Sequence, residues 1–181
     1  MAVAMLPLLE STPPLAEAPH RDLCTDCGVS RSSHASQCGK VCQFIHPRYD
    51  ALEHQVHGRT REMTTDEAFF GPFRAMYRAA LRAPLAGAQW TGITTRVAER
   101  LLETGAVDAV LAVASDPADR WRPRPVIVTE ASEMAQCRGM KMGYAPLLAL
   151  LDTCAERGYR RLAVIGVACQ VHALRALEAK L

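Results

Sequence analysis

The spacing of apolar positions is most regular after about residue 87. Ile93, Val97, Ala98, Leu101 and Leu102 recur at helical intervals, and Gly105 follows as a C-terminal stop, which predicts an amphipathic helix. Val107 to Ala114 is a nearly continuous apolar run, the pattern of a strand buried on both faces of a parallel sheet. A second short strand is expected at Val126 to Val128, flanked by Pro123 and Pro125. A longer helix follows, with Leu147, Leu148, Leu151, Cys154 and Ala155 on its buried face and Gly158 ending it. Leu162 to Ile165 reads as a strand, Gly166 to Cys169 as a turn, and Val171, Leu174, Leu177 and Leu181 as the apolar face of a last helix. Helix and strand alternate, so the class is α/β: a partial, mostly parallel sheet of about three strands with flanking helices. The last helix reaches Leu181 with no terminating residue, so the chain is expected to belong to a longer one.

Upstream the periodicity fades. Residues 1–20, with Pro7, Pro13, Pro14 and Pro19, read as a mobile leader, residues 21–86 as a cysteine-rich segment, and residues 87–181 as an α/β domain incomplete at its C-terminus. The cysteine-rich part has few large apolar residues, so a bound metal is expected to hold it together.

The 181 residues correspond to one domain or one and a fraction. An apolar fraction of 49% with 22% charged residues is enough to build a core and too hydrophobic for a disordered chain. The formal charge is +2, and the short Arg120, Arg122, Arg124 group is its longest basic concentration, which argues against a nucleic-acid partner. No apolar stretch approaches the roughly 20 residues of a transmembrane helix, and the N-terminus lacks the basic start of a secretory signal. A cytoplasmic, reducing setting is expected, in which clustered thiols suggest metal rather than disulfides.

Four of the seven cysteines, Cys24, Cys27, Cys38 and Cys42, have the spacing C-x2-C-x10-C-x3-C. Four thiolates can enclose one zinc ion or bind one iron each of a [4Fe-4S] cube, and the spacing admits both. A bacterial ferredoxin would place its third cysteine where this chain has Ser30, so Cys38 would have to supply that ligand. His34 and His46 are the candidate substitutes. The turn from Gly87 through Gln89, Trp90, Thr91 and Gly92 to Thr94 and Thr95 leads into the first helix, where small residues and free N–H groups favour phosphate, although Thr91 also suits a plain N-cap. A second turn, with Gly166 and Cys169, lies between a buried strand and a helix, where α/β sheets bind ligands. Cys154 reads as core.

Further motifs extend this pattern: Cys24-Thr25-Asp26-Cys27-Gly28, Cys38-Gly39-Lys40-Val41-Cys42-Gln43-Phe44-Ile45, Val56-His57-Gly58-Arg59, Gly87-Ala88-Gln89-Trp90-Thr91-Gly92-Ile93, Asp116-Pro117 with Asp119-Arg120, Arg138-Gly139-Met140-Lys141, and Gly166-Val167-Ala168-Cys169-Gln170-Val171 with Ala173-Leu174-Arg175. In this order the chain resembles the flavin and iron-sulfur family of beta subunits from deazaflavin-dependent hydrogenases and dehydrogenases, in the branch of the ferredoxin-dependent divinyl chlorophyllide 8-vinyl reductase and 7-hydroxymethyl chlorophyll a reductase. The resemblance implies FAD and [4Fe-4S] clusters. Cys24, Cys27, Cys38 and Cys42 would hold one cluster, and Cys169 would join a second completed by residues outside this chain. Gly87, Gln89, Trp90, Thr91, Gly92, Thr94, Thr95 and Gly166 would surround FAD, with Lys141 facing a phosphate or the reduced flavin. It further implies an oxidoreductase of chlorophyll or bacteriochlorophyll biosynthesis that takes electrons from reduced ferredoxin and reduces the 8-vinyl group of divinyl chlorophyllide to ethyl. Such a protein could be a homo-oligomer and lie peripheral to photosynthetic membranes. Reduction of a 7-hydroxymethyl group and a deazaflavin-linked dehydrogenase are the alternatives within the family, and a zinc-stabilised binding module is the rival from another class. His57, Asp116 and Tyr144 are the candidate proton donors.

Overall fold

The computed structural model describes residues 24–179, so the leader expected over residues 1–20 and the helix end at Leu181 lie outside the described residues. A three-stranded sheet has the order β2-β1-β3. The central strand β1 (Ala109–Ser115) is buried nearly throughout, as its apolar run predicts. It pairs parallel with β3 (Leu162–Val164), with Leu111 opposite Val164. With β2 (Pro123–Val128) it pairs antiparallel, from Val110 opposite Val128 to Ser115 opposite Pro123. The α/β class holds, but the sheet is mixed rather than mostly parallel. Residues 116–122 are too short for the crossover a parallel neighbour requires and make a hairpin instead. Asp116 and Asp119 tighten it, accepting the Ala118 and Trp121 amides at 2.9 and 3.0 Å. The two prolines also lie inside β2 rather than outside it, which an edge strand tolerates.

Successive β1 side chains face opposite layers. Val110, Ala112 and Ala114 pack under helix α4 (Ile93–Glu103) and a 3-10 turn (Ala131–Cys137), against Ala98 and Met134. Ala109 and Leu111 pack on the other side against Leu147, Leu150 and Cys154, from a 3-10 turn (Leu147–Ala149) and helix α5 (Leu150–Glu156). Cys154 is core, as expected. Three apolar positions depart from the expected faces: Val97, Ala155 and Val171 are exposed. On α4 the buried seam is Thr95, Ala98 and Glu99. Glu99 turns inward because Arg96 and Arg138 both reach its carboxylate, at 3.1 and 3.2 Å, and Val97 rotates to solvent.

The cysteine-rich segment is built from short pieces: 3-10 turns at Val29–Arg31 and Ala35–Gln37, then α1 (Cys38–Val41), α2 (Tyr49–His57) and α3 (Glu67–Phe70). It buries more apolar surface than its composition suggests. Val29, Val41 and Leu52 share a core with Leu148 and with Ala173, Ala176 and Leu177 of the last helix, α6 (Ala168–Glu178). Gly28 makes the docking possible. It has φ of +107°, and a Cβ there would lie 2.4 Å from the Ala149 amide nitrogen. The Leu148 amide donates to the Cys27 carbonyl at 3.0 Å, and the Ser33 amide and hydroxyl both donate to Asp152.

Candidate functional site

Cys24, Cys27, Cys38, Cys42 and Cys169 line one small cavity, closed on its apolar side by Val41, Phe44, Ile45 and Ala173. The first four come from one local loop, whereas Cys169 is delivered from the start of α6. Backbone amides turn toward the sulfurs: Asp26 N–H donates to Cys24 Sγ at 3.4 Å, and the Val29 and Ser30 backbones act to lower the Cys27 and Cys38 thiol pKa values. Cys38 thus reaches the corner where the sequence has Ser30 in place of a third ferredoxin cysteine. Asp26 exposes its amide by adopting φ of +47°, held by a two-point ion pair with Arg31 at 2.7 and 2.8 Å. Burial pushes the Cys27 thiol up to about 11, and nearby Cys38, Cys169 and Cys42 add to this against the opposing Val29 amide. Cys38 is raised for the same reason, with Cys24 and Cys42 as its charged neighbours. Raised this way the thiols stay protonated, and a cationic centre placed among them would favour their thiolate forms. Among the described residues no three His, Cys, Asp or Glu side chains are grouped tightly enough to hold one metal ion. His34 and His46 do not border the cavity.

A second cavity of about 1200 Å³ lies beside the first. The Gln89 to Thr95 stretch lines it together with Gly166, Val167, Cys169 and Gln170, so the two turns picked out in the sequence meet there. Lys141 and Tyr144 also border it; Gly87 does not. Gly87 acts one step removed, since its carbonyl lies 3.0 Å from where a Cβ on Gly139 would sit. Gly92 caps α4 with φ of +89° and has no side chain to accept the first-turn amides, which leaves those donors for a ligand. The Thr91 hydroxyl is partly engaged, accepting from the Leu81 amide at 3.1 Å. Gln170 braces the other turn: its Oε1 accepts from the Val167 amide at 3.0 Å and its Nε2 donates to the Ala145 carbonyl at 2.9 Å. Lys141 Nζ donates to the Arg138 and Gly139 carbonyls at 2.5 and 3.3 Å, and burial lowers its pKa while Cys137 opposes that shift.

Among the described residues, Thr25 and Cys169 border both cavities, with Thr25 Oγ1 3.5 Å from Cys169 Sγ. The sequence did not single out Thr25 or Cys137, which also lines the large cavity. Their signals were position two in a C-x2-C loop and a cysteine beside the Arg138-Gly139-Met140-Lys141 motif. Of the candidate proton donors, Tyr144 borders the large cavity, whereas His57 and Asp116 border neither.

Several known proteins are similar to this chain. The chain is 38% identical over 169 residues to the uncharacterized protein all1601 of Nostoc sp., covering 93% of this chain and 43% of that protein. It is 37% identical over 172 residues to the chloroplastic 7-hydroxymethyl chlorophyll a reductase of Oryza sativa subsp. japonica, covering 93% of this chain and 36% of the reductase. Over 93 residues it is 34% identical to one component of the F(420)H(2) dehydrogenase of Methanosarcina mazei, covering 51% of this chain and 26% of that component. The chain therefore spans less than half the length of each of these relatives. The model for the N-terminal domain of coenzyme F420 hydrogenase/dehydrogenase beta subunits matches residues 76–152, which include the Gln89 to Thr95 turn, α4, β1, β2 and Lys141. Residues 76–152 thus carry the N-terminal domain found in coenzyme F420 hydrogenase/dehydrogenase beta subunits.

Proposed function

We propose that this chain is the cofactor-holding part of an iron-sulfur flavoprotein reductase that acts on a tetrapyrrole of chlorophyll or bacteriochlorophyll synthesis. The observation that carries the reading is the common wall: a five-thiol cavity and a cavity of about 1200 Å³ share Thr25 and Cys169. Donor chemistry fits a [4Fe-4S] cluster on Cys24, Cys27, Cys38 and Cys42, with the Asp26 amide aimed at Cys24 and the Val29 and Ser30 backbones opposing the rise at Cys27 and Cys38. Cys169 offers a fifth thiol to the same cavity, from the wall it shares with the larger one. Five thiols around one cavity, with no three of them grouped tightly enough for a single ion, suit a cube better than the tight tetrahedron of a zinc ion with bonds of about 2.3 Å.

The larger space exceeds the roughly 300–1,000 Å³ of ordinary small-molecule pockets, as a dinucleotide such as FAD requires. The open first turn of α4 and the Thr94 and Thr95 hydroxyls would hold its phosphates, and Lys141 would sit beside its negative charge. When bound, these groups supply single-electron intake and two-electron hydride delivery. The chain's residues would hold them a wall apart, with buried Val41 lining the thiol side, and offer a flat ligand the exposed rings of Tyr77, Trp90 and Tyr144 at the large cavity.

The substrate reading rests on the resemblance to the chlorophyll branch and the 37% identity to a 7-hydroxymethyl chlorophyll a reductase. The 8-vinyl reaction is the favoured one: a vinyl group takes two electrons, arriving singly from reduced ferredoxin, and two protons to become ethyl. Tyr144, at the cavity edge, is the candidate donor of one proton. The test is an anaerobic assay of the full-length protein with reduced ferredoxin, offering divinyl chlorophyllide and 7-hydroxymethyl chlorophyll a separately. Ethyl product with bound iron and flavin supports the 8-vinyl reading; product from the hydroxymethyl pigment alone moves the chain to that activity. A colourless protein containing zinc would sink the flavoprotein reading altogether.

A further inference from the structure

We propose that Arg138 is a positioning residue for the anionic end of the flavin: from behind the cavity wall it ties the loop carrying Lys141 to the entry of α4, and so fixes the ammonium against the open first turn of that helix. The inference rests on the flavin reading above and adds to it a residue that does not itself reach the cavity.

Gly139, Met140 and Lys141 line the large cavity, whereas Arg138, first in the same motif, does not. Its side chain reaches behind both walls instead. Nη2 donates to Glu99 Oε1 on α4 at 3.2 Å, and Nη1 donates to the Ala86 carbonyl, just before the turn that leads into α4, at 3.4 Å. The Arg138 carbonyl accepts from Lys141 Nζ at 2.5 Å. One residue therefore joins the helix, the loop before it and the ammonium. The two loops also meet directly, since a Cβ on Gly139, at φ of +79°, would lie 3.0 Å from the Gly87 carbonyl oxygen.

Packing does not account for an arginine here. Its Nε is buried with no hydrogen-bond partner among the described residues, a loss of hydration that an apolar side chain would not suffer. What the guanidinium supplies is a rigid fork that engages two chain segments at once. Lys141 and the first-turn amides of α4 would hold one ligand's negative charge from two sides. Fixing their separation beforehand spares the ligand the entropy of ordering them.

Flavin binding to the full-length protein, first freed of FAD, is measured by equilibrium dialysis for Arg138→Met, Lys141→Met and the double variant, with melting temperature and iron content read alongside. Arg138→Met is expected to fold and keep its iron, because Glu99 retains Arg96 at 3.1 Å. It should bind FAD about tenfold more weakly, yet in the Lys141→Met background the same change should cost less than about twofold, since the ammonium it positions is gone. Arg138→Lys keeps a cation opposite Glu99 without the fork and should lose about threefold, again only where Lys141 is present. Wild-type affinity in Arg138→Met or in Lys141→Met, an equal loss with and without Lys141, or failure of both Arg138 variants to fold would each overturn the positioning role. Wild-type protein that binds no FAD would instead sink the flavin reading on which it rests.

Discussion

His172 Nδ1 lies 3.2 Å from the Val41 carbonyl, which makes α6 a strut for the last turn before Cys42. The Arg48 amide donates to Nε2 of the same ring at 3.3 Å, so the proton must sit on Nδ1 and the imidazole is neutral. Burial lowers its pKa, the Val41 hydrogen bond opposes this, and Arg48 adds to the lowering. An unfolded histidine titrates near 6.5. Below that value the unfolded chain takes up a proton that the folded ring refuses, so the stabilisation is complete above about pH 6.5 and declines as pH falls. His172→Ala should cost about 2–4 kcal/mol at pH 7.5, because it leaves a cavity and two unpaired backbone groups. Urea unfolding measured from pH 7.5 to 5.5 checks both points. A wild-type profile that stays flat between these limits would exclude the neutral-ring account.

Gly28→Ala should prevent the thiol loop from seating. Its Cβ would meet backbone atoms at Ala149, Leu148 and Pro146 that cannot turn aside, and the positive φ adds strain of about 1–2 kcal/mol. The expected loss is at least roughly 3 kcal/mol. Iron content should fall together with the melting temperature. Gly39→Ala, with nothing near its added carbon, is the control and should change neither.

The crossed ion pairs after α2 make an acid-sensitive clasp. Arg59 holds Glu67 at 2.5 Å, Arg61 holds Glu53, and the Glu62 amide donates to Glu67 at 3.0 Å. These contacts, the Arg59 hydrogen bond first, bring the Glu67 carboxyl down to about 2. A depressed carboxylate stabilises the fold fully above its unfolded value, near 4.5, and loses that contribution as pH falls toward about 2. Amide exchange across residues 59–73 should therefore accelerate below about pH 4.5 before β1 loses protection. In Glu67→Gln the exchange should already be fast at pH 7.

Lys141→Met should weaken flavin binding while sparing iron. Removing one charge-assisted contact costs about 1.5–3 kcal/mol, roughly a tenfold to hundredfold rise in the flavin dissociation constant. Equilibrium dialysis with FAD measures it, and Lys141→Arg should recover part of the affinity. Equal flavin affinity in Lys141→Met and wild type would reduce Lys141 to a brace for the Arg138 and Gly139 carbonyls.

Local signals made α4, β1 and the four-thiol loop legible, because period, glycine stops and short cysteine spacings are all written within a few residues. The hairpin that turns β2 antiparallel was also written locally, in the short stretch between Ser115 and Pro123, but Pro123 and Pro125 read as strand boundaries until the edge position of β2 accounts for them. What the sequence could not convey is contact at a distance. Thr25 meets Cys169 across 144 positions, and Glu99 is buried only because Arg138 arrives from another layer. Charged residues that fold inward with distant partners look like surface residues in a sequence, and on α4 this displaced the expected seam by one position.

Trp90 carries the last prediction. It adopts φ of +52°, a left-handed conformation that costs a bulky residue about 1–2 kcal/mol, and its side chain is 92% exposed at the large cavity. Neither burial nor backbone preference explains a tryptophan there, whereas stacking on a flat pigment would. Trp90→Gly removes both the strain and the ring. It should leave thermal stability unchanged or raise it by about 1 kcal/mol, after the extra chain entropy of glycine is offset, and still bind divinyl chlorophyllide at least about tenfold more weakly in the full-length protein. Trp90→Ala keeps the strained backbone and should lose the pigment affinity without the gain in stability. Tryptophan fluorescence would be confounded by the mutation itself, so pigment absorbance is the readout. Equal pigment affinity in all three proteins would show that the ring serves some purpose other than stacking the substrate.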